Sequence, residues 1–176
     1  MSGDSFDVPA DRAVDPVVDA VMRASRALVS MTARSLSSVN EEVTLPQFRT
    51  LVVLGTRGPK TVSALADHLA VHASTMTRMC NRLVARGLVV RVPSASDRRE
   101  VVITLSTSGT GLVDQVMHAR RREIDAVVRR LTAEERDAVV TALGTFARAA
   151  GEDEGEIDAD HLATRVQTLG TTPLEE

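Results

Sequence analysis

Residues 61–105, TVSALADHLAVHASTMTRMCNRLVARGLVVRVPSASDRREVVITL, change their hydrophobic period midway, and that change decides the fold. Thr61 has the chemistry of a helix N-cap, and Val62, Leu65, Ala66 and Leu69 follow at the spacing of a short inner face. After a turn at Ala70, Val71 and His72, a second helix begins near Ala73. Its buried side is marked by Met76, Met79, Cys80 and Leu83, and it closes at Gly87, a residue suited to a left-handed C-terminal position. The period then drops to two. Leu88, Val90 and Val92 alternate with Val89 and Arg91, and Val101, Ile103 and Leu105 alternate with Val102 and Thr104. Two β-branched runs around the polar loop at residues 93–97 predict a hairpin, with Asp97, Arg98 and Arg99 at its tip.

Long helices flank this stretch. Val14, Val17, Val18, Val21, Ala24, Ser25, Leu28 and Met31 recur at spacings of three and four, predicting an amphipathic helix over 12–39. Thr44 is a good N-cap, Pro46 is tolerated in a first turn, and Phe48, Leu51 and Val52 predict a helix that stops before Gly58-Pro59. Helix returns after Gly109, with Val113, Val116, Met117, Ile124, Val127, Val128 and Leu131 inside. Thr132-Ala133-Glu134-Glu135 is a capping box opening a last helix with Val139, Val140, Leu143, Phe146 and Ala147. The expected fold is mainly α with a small β-hairpin: a winged helix-turn-helix over 40–109, flanked by dimerisation helices at 12–39 and 110–150. Residues 1–11 are expected to be a flexible N-terminus and 151–176 an acidic, flexible tail. The dimer follows because these long apolar stripes exceed what the small central module can cover.

A helix-turn-helix inserts its second helix into the major groove of duplex DNA. With its apolar side turned inward, that helix leaves Ser74, Thr75, Thr77, Arg78, Asn81 and Arg82 for the outer and flanking surfaces. Small hydroxyls near a helix start permit close approach, and Arg78 has the forked donors that match guanine. Arg98 and Arg99 at the hairpin tip suit a minor groove, while Asp97 is expected to pair with a neighbouring Arg and fix the loop. The candidate DNA-binding set is therefore Ser74, Thr75, Thr77, Arg78, Arg82, Arg98 and Arg99.

Composition agrees with a duplex partner. Three Phe, no Tyr and no Trp leave little for base stacking on single strands. The net charge of −3 conceals a division: residues 151–176 carry −7, and the rest +4. Between Arg57 and Arg99, eight basic residues face two acidic ones. Such a local excess attracts a polyanion despite the acidic whole. The N-terminus lacks a signal pattern, no apolar run reaches the ~18 residues of a membrane span, and a lone cysteine fits a reducing compartment, so a cytoplasmic location is expected.

The stretch from Ser74 to Gly109 resembles the MarR (multiple antibiotic resistance regulator) family. The matching pieces are Ser74-x-x-Thr77-Arg78, Leu83-x-x-x-Gly87-Leu88-Val89-x-Arg91, Asp97-Arg98-Arg99 and Leu105-Ser106-x-x-Gly109, with Leu131-Thr132-Ala133-Glu134-Glu135 further on. The helix order agrees over roughly residues 12–150. The resemblance implies a homodimeric transcription regulator, chiefly a repressor, on a pseudo-palindromic operator. It also implies a small aromatic or lipophilic effector held between the helical base and the DNA module. On that implication alone Met31, Phe48 and Met117 become candidate pocket residues; their helical spacing by itself means core.

Other features read more plainly. Cys80 lies on the apolar face between Met76 and Leu83, where an inert buried thiol is the ordinary outcome, against a redox-sensing alternative. His68 and His72 lack a ligand cluster, so no metal site and no cofactor are expected. Arg120-Arg121-Arg122 reads as a solvated face paired to Glu123 or Asp125. No glycine-rich phosphate loop, nucleophile elbow or paired-His motif is present, so an enzyme is not expected. The competing function is a helical protein-interaction module whose basic segment docks an acidic partner.

Overall fold

The computed structural model describes residues 11–94, 97 and 99–151. In order these form α1 (Asp11–Val39), α2 (Leu45–Arg57), α3 (Val62–Leu69), α4 (Ala73–Ala85), β1 (Val89–Pro93), β2 (Val101–Leu105), α5 (Thr107–Val128) and α6 (Ala133–Ala149). The segment before residue 11, the tail beyond 151 and Arg98 lie outside the described residues. None of the described helices is long and apolar enough to cross a membrane.

Local chemistry sets the boundaries. The Thr44 amide donates to Gln47 Oε1 at 3.0 Å at the start of α2, and Thr61 Oγ1 accepts from the Ala64 amide at 3.2 Å at the start of α3. The capping box of α6 closes reciprocally, Glu135 N to Thr132 Oγ1 at 3.2 Å and Thr132 N to Glu135 Oε2 at 2.8 Å. Between α3 and α4 the chain turns through Ala70, which holds a left-handed conformation at φ 53°. The Ala70 and Val71 amides donate back to the carbonyls of Asp67 and Ala66, at 3.2 and 3.0 Å.

The core sits where α2, α3, α4, β1, β2 and α5 converge, and Leu51, Leu65, Met76, Leu83, Val89, Ile103, Val113 and Val116 are fully buried in it. Helix α1 crosses α5 and is stapled to it. Arg34 donates twice to Glu123 Oε2, at 2.9 and 3.2 Å, and the fully buried Ser35 hydroxyl donates to Glu123 Oε1 at 2.9 Å.

Three details depart from the sequence reading. First, α5 starts at Thr107, ahead of Gly109. Ser106 is its N-cap, accepting from the Gly109 amide at 3.0 Å, so the glycine lies inside the first turn. Glycine is needed there because a Cβ would stand 1.9 Å from the Leu88 carbonyl oxygen. The same helix ends at Val128, leaving Leu131 in the connection; Arg136 Nε reaches back to the Val128 carbonyl at 3.1 Å. Second, β1 starts at Val89, one residue after the alternation begins. Val89 pairs with Leu105 and is buried, whereas Val90 is exposed, because Leu88 belongs to the preceding turn and lies outside the ladder. Third, Lys60 forms a single-residue bridge with Ile103 through bonds of 2.8 and 3.1 Å, tying the α2–α3 connection to the hairpin edge.

Candidate nucleic-acid interface

Helix α4 and the β1–β2 hairpin form one side of the central module. The apolar face of α4 is buried through Met76, Cys80 and Leu83. By exclusion Ser74, Thr77, Arg78, Asn81 and Arg82 are exposed and Thr75 is half-buried. Thr77 donates its hydroxyl proton to the Ala73 carbonyl at 2.8 Å, which leaves its oxygen lone pairs outward. The start of α4 has an unusual property for so well-bounded a helix. Its N-cap is His72, whose side chain makes no capping bond; the Thr75 amide turns to the His72 carbonyl at 2.9 Å, and those of Ala73 and Ser74 are left for an outside acceptor.

At the hairpin tip, no guanidinium among the described residues pairs with Asp97. Its Oδ1 accepts the Arg99 backbone amide at 2.9 Å, and its carbonyl accepts the Glu100 amide at 2.9 Å. The aspartate thus fixes the turn by the short-range chemistry natural to it, and the exposed Arg99 side chain is left outward. Arg98 falls outside the described residues.

Two further arginines organise this surface without having been singled out for it. Arg91 on β1 donates to Asn81 Oδ1 on α4, joining hairpin to helix. Arg86, at the C-terminal end of α4, donates to the Glu42 carbonyl and reaches Gln47 Oε1 at 3.5 Å, joining α4 to the start of α2. Both depend on tertiary placement, which no local spacing signals. Cys80 beneath them is fully buried. Burial pushes its thiol up from the ordinary value, and the positive Arg91 draws it partly back. His72 is exposed at the helix start, and no cluster among the described residues could hold a metal ion.

Behind the central module, α1, α2 and α6 border an open, mainly apolar cavity of about 1110 Å³. Phe48 lines it, along with Leu28, Val52 and Phe146; Met31 and Met117 are not among its walls. Met117 instead packs against the core, as its spacing on α5 allows. The polar groups in the wall are mainly Arg49 and Arg120, and the Arg120 Nε is buried without a hydrogen-bond partner among the described residues. The basic run on α5 therefore has a different arrangement from the one expected. Glu123 is taken by Arg34 and Asp125 by Arg129, leaving Arg120 turned to the cavity.

The flanking helices expose much of their apolar surface. Helix α6 buries no residue; Val140 is 73% exposed and Phe146 51%. On α1, Val17 is 61% exposed, and Val18, Met22 and Val29 are exposed too.

Comparison with known proteins agrees with this architecture. The model of the MarR family matches residues 43–101, from the start of α2 to the hairpin. The uncharacterized HTH-type transcriptional regulator Mb0904 of Mycobacterium bovis is 33% identical over 123 residues, 70% of this chain and 82% of that protein. The crystal structure of RV1404 from Mycobacterium tuberculosis superposes with a TM-score of 0.75 at 41% identity, covering 81% of this chain and 97% of that one. A MarR mutant from Escherichia coli, crystallised with operator DNA, shares the fold at a TM-score of 0.56 and 24% identity, covering 78% of this chain and 97% of that one. With a winged helix-turn-helix between long flanking helices and relatives matched over most of their length, this chain belongs to the MarR family.

Proposed function

We propose that the protein is a homodimeric regulator of transcription that binds a pseudo-palindromic site on double-stranded DNA, chiefly to repress. The observation that carries this reading is the outer face of α4. Ser74, Thr77, Arg78 and Arg82 are exposed there, beside an uncapped helix start and the hairpin arginines. Ser74, Thr75, Thr77, Arg78 and Arg82 are assigned to the major groove and its phosphates, and Arg98 and Arg99 to the adjoining minor groove. Arg78 takes the central reading role, as a forked donor matched to guanine. The work is binding, not catalysis, and its place is the cytoplasm.

The exposed apolar faces of α1 and α6 support these helices as the surfaces that join two protomers. The join sets two α4 helices about one DNA turn apart, ~34–36 Å. The cavity beside α2 supports control by a small lipophilic effector, with Phe48 in its wall. Helix α2 borders that cavity and also touches α4, where Thr50 Oγ1 donates to Met79 Sδ at 3.0 Å. A ligand that favours one placement of α2 therefore acts on the spacing of the reading helices, and DNA in turn acts on the ligand.

Affinity-selected sequencing of random duplexes with the purified dimer tests the reading. Recovery of a pseudo-palindrome with half-sites about ten base pairs apart is the expected result. Salt-sensitive binding to any polyanion without sequence enrichment would instead identify a module that docks acidic partners.

A further inference from the structure

The exposed pair Arg91–Asn81 joins the hairpin to the reading helix at the face where DNA is proposed to lie. Arg91 stands across from Ile103 in the β1–β2 register, and its Nη2 donates to Asn81 Oδ1. Asn81 follows Thr77 by four residues and Arg78 by three, so the three side chains share one side of α4. We infer that Arg91 is a positioning residue that fixes which hydrogen-bonding group Asn81 presents to the duplex. It holds the carboxamide with its oxygen toward β1 and its NH2 presented to a hydrogen-bond acceptor on the duplex.

The argument is one of donor and acceptor count. A free asparagine offers one acceptor and two donors, the combination that adenine matches bidentately through N6 and N7. A guanidinium has donors only. Wherever it bonds the amide it bonds the oxygen, since the flipped amide would set N–H against N–H. Arg91 thereby removes the two-fold ambiguity that an asparagine side chain otherwise has. What faces outward is an NH2 beside a positive guanidinium. Its complement is an acceptor without an adjoining donor: a phosphate oxygen, or the O6 and N7 edge of guanine. Adenine loses the advantage it normally has with asparagine.

The inference rests on the DNA-binding reading above, and the test separates the two. Kd values are measured on the selected duplex for wild type, Asn81→Ala, Arg91→Ala, Arg91→Lys and the double variant Asn81→Ala/Arg91→Ala. Asn81→Ala is expected to weaken wild type about tenfold but the Arg91→Ala protein by less than about threefold, because the amide is no longer held. Arg91→Lys, which retains a donor-only partner, is expected to keep Asn81→Ala worth about tenfold when combined with it. Repeating the selection with Asn81→Ala identifies the acceptor. A loss spread evenly over sequences assigns a phosphate, and a loss confined to one G·C position assigns a base edge; each supports the proposal. Three results would overturn it: equal effects of Asn81→Ala with and without Arg91, no difference between Arg91→Lys and Arg91→Ala backgrounds, or an adenine preference in wild type that Asn81→Ala abolishes. A wild type that selects no sequence at all overturns the DNA reading first, and this proposal with it. Both side chains are exposed, and unchanged thermal unfolding of each variant excludes a folding defect as the cause.

Discussion

Replacing Gly109 with alanine should destabilise the protein although it improves helix propensity. A Cβ at this position stands 1.9 Å from the Leu88 oxygen and 3.0 Å from its carbonyl carbon, with Leu105 Cδ2 at 3.4 Å. Real Cβ contacts essentially never fall under 3.0 Å, so the Leu88 peptide must retreat by at least 1.1 Å from its present 1.9 Å. That oxygen is the acceptor for the Ser106 amide at 3.1 Å, and the Ser106 hydroxyl in turn donates to the Gly87 carbonyl. A retreat of this size breaks the first bond and disturbs the second. Overpacking of this kind costs about 1–3 kcal/mol, and loss of the bond from the half-buried Ser106 about 0.5–1.5 kcal/mol more. Alanine returns up to about 1 kcal/mol of helix propensity. The net expectation is a loss of about 0.5–4.5 kcal/mol, read as a fall in urea midpoint at fixed protomer concentration with unchanged slope. Gly111 is the internal control. It lies in the same helix with nothing within 4 Å of its ideal Cβ, so Gly111→Ala should hold or gain up to about 1 kcal/mol. Equal stability of Gly109→Ala and Gly111→Ala would refute the reasoning.

Three other outcomes are expected. Arg78→Ala should cost ~1–3 kcal/mol on the selected operator and relax preference at one base pair, whereas Arg99→Ala should weaken all sequences evenly; identical specificity profiles would refute the division of roles. Burial raises the Asp114 carboxyl above its ordinary value, with His118 partly opposing, so the folded chain holds that proton where the unfolded chain has released it. Its contribution favours folding at pH below the unfolded value and is lost as pH rises through the folded one; Asp114→Asn should therefore raise Tm at neutral pH, with the gain vanishing toward about pH 4, as a Tm series shows. Phe146→Asp should weaken dimerisation at least about a hundredfold by burying an unpaired carboxylate, and sedimentation that still finds wild-type dimer would remove α6 from the interface.

Legibility followed the range of the interaction. The α6 capping box, the Thr61 cap and the buried face of α4 are each written in residues a few places apart, and all appear where the spacing puts them. The outward residues of α4 were readable by exclusion once that face was known. The start of α5 was not, because Gly109 looks like a helix breaker until the Leu88 carbonyl lies against it. The Lys60–Ile103 bridge and the Arg91–Asn81 and Arg86–Glu42 bonds join segments whose meeting depends on hairpin register and helix crossing. The cavity was legible only in Phe48. Its other walls come from α1, α2 and α6 together, and Arg120 is turned there because Glu123 and Asp125 have nearer partners.

Ala70 determines when the ordering of this site takes place. Most turns that need a left-handed residue use glycine, whose freedom persists in the unfolded chain and must be lost on folding. An alanine at φ 53° carries local strain of about 1–2 kcal/mol, held by its own amide and that of Val71. The angle between α3 and α4 is thereby settled when the chain folds, well before any encounter with a duplex. A helix pair whose angle is already set has less left to arrange on contact. Operators that differ by a base pair will then be met at similar rates and distinguished by how long the protein stays on each.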